Sequence, residues 1–200
     1  MPIVETKVKS RSSTSVPFFS EATEYTTSIR PVVMSGIKSY IDSGAFVNAY
    51  SISSDQLTQT LTQTYADLET YSAVDTKLSI TLDAAHYEYA ITNGLTAVTY
   101  TQTGIDVPFT QTITYSIPAN SELTANIEYA ISILNQTFTT SVNTEKLSNL
   151  EVNTNSVTAV LTFNDSADFT NNFVRDNHLA SLLQSVNATR TISYATVTSA

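Results

Sequence analysis

The chain has 200 residues, which is enough for one large domain or two small ones with a real hydrophobic core. A hydrophobic fraction of 42% argues against disorder, and a net charge of −9 disfavours nucleic acid as a partner. The absence of cysteine excludes disulfides and thiolate metal sites. No secretory signal and no run of about 18 apolar residues is visible, so we expect neither a cleaved leader nor a membrane span.

Hydroxyl side chains are expected to cover the surface. Only 14% of the residues are charged, whereas Ser and Thr together account for roughly 29%, well above their typical share. Hydroxyl groups keep a surface hydrated without charge, and the β-branched threonine favours strands. We therefore expect many strands whose exposed faces carry hydroxyl groups.

Residues 1–15 are interpreted as an extended N-terminal arm. Lys7, Lys9 and Arg11 lie close together there, as an exception in an acidic chain. One interpretation is an arm that docks on an acidic neighbour or on nucleic acid. The other, more frequent for a terminus, is a solvated or loosely ordered segment. These three side chains are the candidate interface residues.

The first unit is predicted over residues 16–104. Ser28 is expected to cap a helix that Gly44 stops, with Pro31 in its first turn. The sequence LTQTLTQTY that follows alternates with a period of two. It predicts a strand from Leu57 to Tyr65, with the two leucines and the tyrosine on one face.

A helical segment is predicted to begin near Asp67 and to end at the pair Asn93-Gly94. Asp75 interrupts its apolar stripe, so two shorter helices are possible, and Asp83 would cap the second of them. A return strand is expected over Ala97–Thr103.

The second unit is predicted over residues 105–200. It should contain a strand over Phe109–Ile117 and a helix that carries Leu123 to Leu134. A further strand precedes a helix capped by Ser166 or Asp168, whose apolar stripe comprises Phe169, Phe173, Leu179, Leu183 and Val186. A return strand is expected over residues 189–198.

The two units share a sequence pattern. The segment LTQTLTQTYADL has a partner in VTAVLTFNDSADF (157–169), with Leu61 over Leu161 and with Ala66-Asp67-Leu68 over Ala167-Asp168-Phe169 after a one-residue insertion. NGLTAVTY likewise aligns with NATRTISY, which places Tyr100 over Tyr194. The order of these matches indicates tandem duplication. The predicted fold class is α+β, with two similar tandem units, each a small, mainly antiparallel sheet with helices packed on one face.

The sequence shows no catalytic signature. His86 and His178 have no acidic or histidine partner at helical metal spacing, and helix capping explains Asp67, Asp165 and Asp168. No nucleophile elbow, phosphate loop or dinucleotide fingerprint is present. We therefore predict no catalytic residues, no metal site and no cofactor, and we expect that the protein is not an enzyme.

The unit LTQTLTQTYADLETY…NGLTAVTY and its weaker copy VTAVLTFNDSADF…NATRTISY resemble small virion structural proteins of tailed bacteriophages. That resemblance implies assembly into a head or capsid, neck, tail or baseplate, with virion localisation. It implies other virion proteins as partners, homo-oligomer formation, and terminal arms that embrace neighbours, a role that residues 1–15 would suit.

Three functions remain open at this point. The first is a structural protein that acts through subunit contacts, as the resemblance implies. The second is an adhesin or receptor-binding module for a cell surface or glycan, which requires an exposed aromatic patch. The third is a hydrolase, which requires two carboxylates that face each other across a pocket.

Overall fold

Secondary structure in the computed structural model follows a pattern that occurs twice. The structure describes residues 1–120, 123–140, 142–172 and 178–198, without the side chains of residues 97, 98, 142, 143 and 178. The first half comprises β1 (Ile3–Ser10), α1 (Arg30–Asp42), β2 (Phe46–Ile52), β3 (Thr58–Tyr65), α2 (Leu68–Lys77), α3 (Ile80–Asn93) and β4 (Thr96–Thr103). The second half comprises β5 (Phe109–Ser116), α4 (Thr124–Thr140), β6 (Leu147–Val152), β7 (Ser156–Phe163), α5 (Ser166–Asn172), α6 (His178–Ser185) and β8 (Thr189–Thr196).

Each half forms one four-stranded antiparallel sheet. The strand orders are β2-β3-β1-β4 and β6-β7-β5-β8, so the first strand of each half is one of the two central strands of its sheet. Helices pack against one face of each sheet, and within the described ranges no helix packs on the other face. The predicted α+β class with two similar tandem units is confirmed.

The interpretation of residues 1–15 as an arm is wrong, because most of this segment is the central strand β1. Ile3 pairs with Tyr65 on one side, and Val4 pairs with Thr103 of β4 on the other. Only 1% of Ile3 is exposed. The first unit therefore includes the N-terminal residues, and its sheet cannot form without them.

Of the three helix N-caps predicted in the first half, Asp67 is confirmed and the other two are wrong. Asp67 caps α2 by accepting a hydrogen bond from Thr70 N at 2.8 Å. The interruption at Asp75 does separate two helices, but Ser79 rather than Asp83 caps the second of them, by accepting from Leu82 N. Asp83 instead binds a residue of the second unit.

Of the other predicted caps, Asp165 is confirmed and the rest are wrong. Ser28 lies inside a π-helical turn (Tyr25–Ile29) that runs into α1, so it does not cap that helix. In the second half, Asp165 caps α5 by accepting from Asp168 N at 2.8 Å, which confirms the capping role predicted for Asp165, whereas Ser166 and Asp168 are not the N-cap. Phe173 of the predicted stripe lies outside the described residues.

The strand registers show which residues of the two units are equivalent, and they correct the alignment made from the sequence. Ile3 pairs with Tyr65 in the first sheet as Phe109 pairs with Phe163 in the second, which makes Tyr65 and Phe163 equivalent. The same comparison makes Gln102 of β4 equivalent to Tyr194 of β8. The alignment of Tyr100 with Tyr194 was therefore wrong by two residues, and Asp67 corresponds to Asp165 without an insertion.

Each unit covers an edge strand of the other with a helix. Thr76 of α2 bonds both the N–H and the C=O of Ile192 on β8, at 2.9 and 2.8 Å. In the reverse direction, the Thr170 hydroxyl of α5 accepts from Gln102 N on β4 at 2.8 Å. One hydrophobic core contains buried residues of both units. Side chains of each unit thus form hydrogen bonds with backbone groups at the edge of the other unit's sheet, and these bonds join the two units.

Candidate functional site

The helix-covered face of the first sheet is polar at its centre. β1 directs Ile3, Glu5, Lys7 and Lys9 toward this face, because strand residues alternate between faces. Only 1% of Glu5 is exposed, and the side chain of Lys7 is 19% exposed. A charged residue in a buried position must be paired, so the partners of this strand define the candidate site.

Glu5 accepts hydrogen bonds from three tyrosine hydroxyl groups. Tyr71 donates at 2.5 Å and Tyr65 at 3.2 Å, and Tyr100 donates to the same carboxylate. Lys7 Nζ lies 3.5 Å from the second carboxylate oxygen. Gln102 Nε2 donates to the Tyr71 hydroxyl at 2.9 Å, which continues the chain to β4.

A second chain of hydrogen bonds between buried side chains lies across the contact between the units. We call this chain and the one at Glu5 the two relays. Gln111 Nε2 donates to the Tyr194 hydroxyl, and Tyr194 donates to Asp75, both at 2.7 Å. The rings of Tyr71 and Tyr194 stack with centroids 4.1 Å apart, so the two relays are in contact. Burial raises the pKa of both tyrosines well above 10.0, and the nearby carboxylates of Glu5 and Asp75 raise it further. Both hydroxyls therefore remain protonated as donors at neutral pH.

Lys7, Lys9 and Arg11 all have partners within the first unit. Lys7 Nζ donates to Gln63 Oε1 at 2.9 Å, and Lys9 Nζ lies 2.7 Å from Nε2 of His86 on α3. Arg11 is 9% exposed and donates to two backbone carbonyls. The predicted basic cluster exists, but it points into the first unit.

The second unit shows that the fold does not require this polarity. At the positions equivalent to Lys7 and Gln63, it has Ile113 and Leu161, which are 4% and 0% exposed. Tyr71 likewise corresponds to Phe169. The same architecture is thus stable with apolar residues at these three positions, although Gln111 keeps a buried polar side chain at the position of Glu5.

The helix-free face of the first sheet has a different character. It carries nine threonines, two serines, three valines and one alanine, and no charged residue: Val4, Thr6, Val8, Ser10, Val47, Ala49, Ser51, Thr58, Thr60, Thr62, Thr64, Thr96, Thr99, Thr101 and Thr103. None of these residues is buried. The corresponding face of the second sheet is also rich in threonine, with Glu151 at its edge. The threonines of LTQTLTQT therefore form a surface, and its glutamines face the helices.

The carboxylates singled out from the sequence serve local structure. Asp67 and Asp165 cap helices, and Lys146 Nζ lies 2.6 Å from Asp168. Across the described ranges, no group of His, Asp and Glu residues is arranged to hold a metal ion. The helices in those ranges include none that is long and apolar enough to cross a membrane.

Sequence reasoning missed the residues of both relays. Asp75 gave a signal, because it interrupts the apolar stripe of its helix and is nevertheless 1% exposed. No feature of the sequence marked Glu5 as buried, since residues 1–15 were interpreted as an arm. Two amide oxygens, Gln102 Oε1 and Gln111 Oε1, have no hydrogen-bond partner within the described part of the chain.

Comparisons with known proteins give no family. No protein-family model and no curated protein matches the chain. A candidate monooxygenase from Lactobacillus acidophilus NCFM is similar in structure, at 8% identity and a TM-score of 0.28, over 96% of this chain and 92% of the other. An unknown protein from Galdieria sulphuraria is similar at 7% identity and a TM-score of 0.22, over 98% and 99% of the two chains. Structural likeness at these scores carries no argument about function.

Proposed function

We propose that the protein is a structural subunit that acts through contacts with further copies of itself and with other proteins of an assembly. The observation that supports this most is the uncharged, helix-free face of the first sheet. Surfaces designed for solubility are given roughly 25–35% charged residues, and this face carries none. Threonine and valine on a pleated surface suit face-to-face sheet packing.

The size of this face sets the expected strength of the contact. Four strands spaced about 4.8 Å apart, each about 26 Å long, give roughly 500 Å². A standard interface buries about 800 Å² per partner. One face alone therefore gives a weak contact, and a stable assembly needs an additional surface.

The virion setting is part of this proposal, and the resemblance noted in the sequence supports it. A virion subunit requires repeated contacts rather than a catalytic centre, and we extend the proposal to a non-enzymatic role. The adhesin alternative requires a patch of exposed aromatic rings. Tyr50 and Tyr129 are exposed to 68% and 58%, but on different units.

Sedimentation velocity over a range of concentrations tests the proposal. We expect species heavier than the 21.7 kDa monomer. Thr62→Lys at the centre of the face should weaken association at least tenfold without lowering Tm, because two lysines would meet across the contact. Thr139→Lys on the exposed surface of α4 is the matched control. A chain that stays monomeric, both alone and with the proteins encoded beside it, would refute a structural role.

A second candidate function is the binding of a small oxyanion, such as phosphate or a carboxylate, at Lys7, Lys9 and His86. The observation that favours it is the polar interior of the first unit, at positions where the second unit is apolar. Stabilisation by phosphate in thermal unfolding should be lost in Lys9→Met and kept in Lys38→Met, a lysine exposed on α1. Equal stabilisation of both variants would exclude this site.

A further inference from the structure

The outer edge of β2 is an exposed strand without charge. Its sequence is FVNAYSI, and all six residues after Phe46 are exposed. Val47, Tyr50 and Ile52 are 51%, 68% and 37% exposed, which makes β2 a concentration of exposed apolar side chains. β2 pairs with β3 on one side only, since it ends the strand order of the first sheet.

The other sheet edges are protected. The edges of β4 and β8 are covered by helices α5 and α2 through the threonine contacts described above. The edge strand β6 has a register shift between Leu147 and Asn149 and carries Glu151, and both features discourage strand addition. β2 has an uninterrupted register with β3, no charged residue and no proline. Among the described strands it is the edge that lacks these protections.

The free hydrogen-bonding groups of β2 follow from its ladder with β3. Ala66 N donates to Ala45 O, and Ser53 N donates to Thr58 O, both at 2.9 Å. These two pairs have the same register as the β2–β3 ladder, so the odd-numbered residues of β2 bond to β3. The N–H and C=O groups of Phe46, Asn48, Tyr50 and Ile52 therefore point away from β3.

This pattern is self-complementary. If a second β2 runs antiparallel with Ala49 opposite Ala49, then Phe46 faces Ile52 and Asn48 faces Tyr50. All four outward residues then pair with outward residues of the partner, which gives about eight hydrogen bonds. A typical protein interface has about ten. The two sheets would join into one of eight strands, and their threonine faces would become continuous.

We propose that β2 pairs antiparallel with β2 of a second copy of this chain, in the register centred on Ala49. The inference rests on the proposed structural function and names the contact that supplements the weak sheet face. Because β2 is uncharged, two copies meet there without repulsion in spite of the net charge of −9. A contact of one strand pair is small, so the dimer is expected to dissociate at micromolar concentrations.

Cysteine cross-linking tests the register, because the chain contains no cysteine. In the proposed register Ala49 and its copy form a non-hydrogen-bonded pair, with Cα atoms about 4.5 Å apart, within the range of a disulfide. Ala49→Cys should therefore form a covalent dimer under mild oxidation. Ser51→Cys is the matched control on the same face. Its copy lies four residues away along the strand, about 13 Å, which a disulfide cannot span.

Edge variants test the contact without oxidation. Tyr50→Pro removes an outward N–H and costs no bond to β3, and Asn48→Lys adds a charge should proline disturb folding. Both should lose the β2 dimer and keep only the weak association of the sheet face, with a Tm close to that of the wild type, whereas Asn149→Lys on β6 should dimerise as the wild type does.

The outcomes separate the two proposals. Association of both β2 variants as strong as that of the wild type, or equal cross-linking of the two cysteine variants, would overturn the strand pairing and leave the structural function standing. A wild-type chain that is monomeric at all concentrations and with its neighbours would overturn both.

Discussion

Removal of the Tyr71 hydroxyl measures how strongly the buried relay stabilises the fold. Tyr71 is 0% exposed, and Phe fits the same space, as Phe169 shows at the equivalent position. Tyr71→Phe therefore creates no cavity. It removes the 2.5 Å hydrogen bond from the Tyr71 hydroxyl to Glu5, and it deprives the Gln102 amide of its acceptor.

The expected cost follows from these two losses. A hydrogen bond to a carboxylate contributes about 1.5–3 kcal/mol, and a buried donor without a partner costs about 1–3 kcal/mol. Because Glu5 keeps its other donors and can relax toward them, we expect a total of about 2–4 kcal/mol. For a chain of this length that corresponds to a fall in Tm of about 5–15 °C.

Urea unfolding followed by circular dichroism provides the measurement. Tyr129→Phe, at a 58% exposed position on α4, is the control and should change the free energy of unfolding by less than about 0.5 kcal/mol. The variant pair Tyr71→Phe and Glu5→Gln should show a coupling energy, since the first removes the hydrogen bond between these residues and the second removes the charge that strengthens it. If Tyr71→Phe were as stable as the wild type, with an unchanged m-value, the relay would not stabilise the fold and this reasoning would fail.

Three further predictions concern the backbone, the tyrosines and the contact between the units. Gly104→Ala should destabilise far more than Gly44→Ala: both glycines have positive φ, but a Cβ at Gly104 would lie 2.2 Å from the Pro2 carbonyl oxygen, whereas nothing lies within 4 Å at Gly44. Chemical denaturation of both variants checks this, and equal stabilities would contradict the close packing of Gly104 against the start of β1. Stability should fall as pH rises above about 10, by about 1.4 kcal/mol per pH unit for each of the two stacked tyrosines, because their raised pKa lets the folded chain keep protons that the unfolded chain releases. Tyrosinate absorbance should then show that at least two of the 11 tyrosines ionise only on unfolding. Thr76→Val should cost about 2–4 kcal/mol, because it leaves an N–H and a C=O of β8 without their partner; Thr139→Val on exposed α4 is the control, and similar Tm values for the two variants would refute this role.

The sequence alone determined the elements whose signals are local. The alternation in LTQTLTQTY marks β3, the cap at Asp67 marks α2, and Gly94 in the left-handed conformation ends α3. Hydrophobic periodicity and helix capping depend on residues that are close together in the chain, so both can be recognised in a single sequence. The recurrence of the pattern was enough to indicate two similar units.

The tertiary structure decided which face of β1 is buried. In IVETKVKS, the apolar residues Val4 and Val8 share one face, and Glu5, Lys7 and Lys9 share the other. Hydrophobic alternation therefore favours burial of the valine face, yet the charged face is the one that helices cover. The tyrosine hydroxyls, the amide and the imidazole that β3, β4, α2 and α3 place against the charged residues make that burial favourable.

The relays and the covered edges depend on residues far apart in the chain. Tyr194 bonds to Asp75 across 119 positions, and Ile192 to Thr76 across 116. No local pattern encodes such a pairing, because each partner alone is an ordinary polar residue of a helix or strand. The edge of β2 belongs to the same class: its composition is visible in the sequence, but its exposure follows from the strand order, which places it outermost and leaves its hydrogen-bonding groups unpaired with β3.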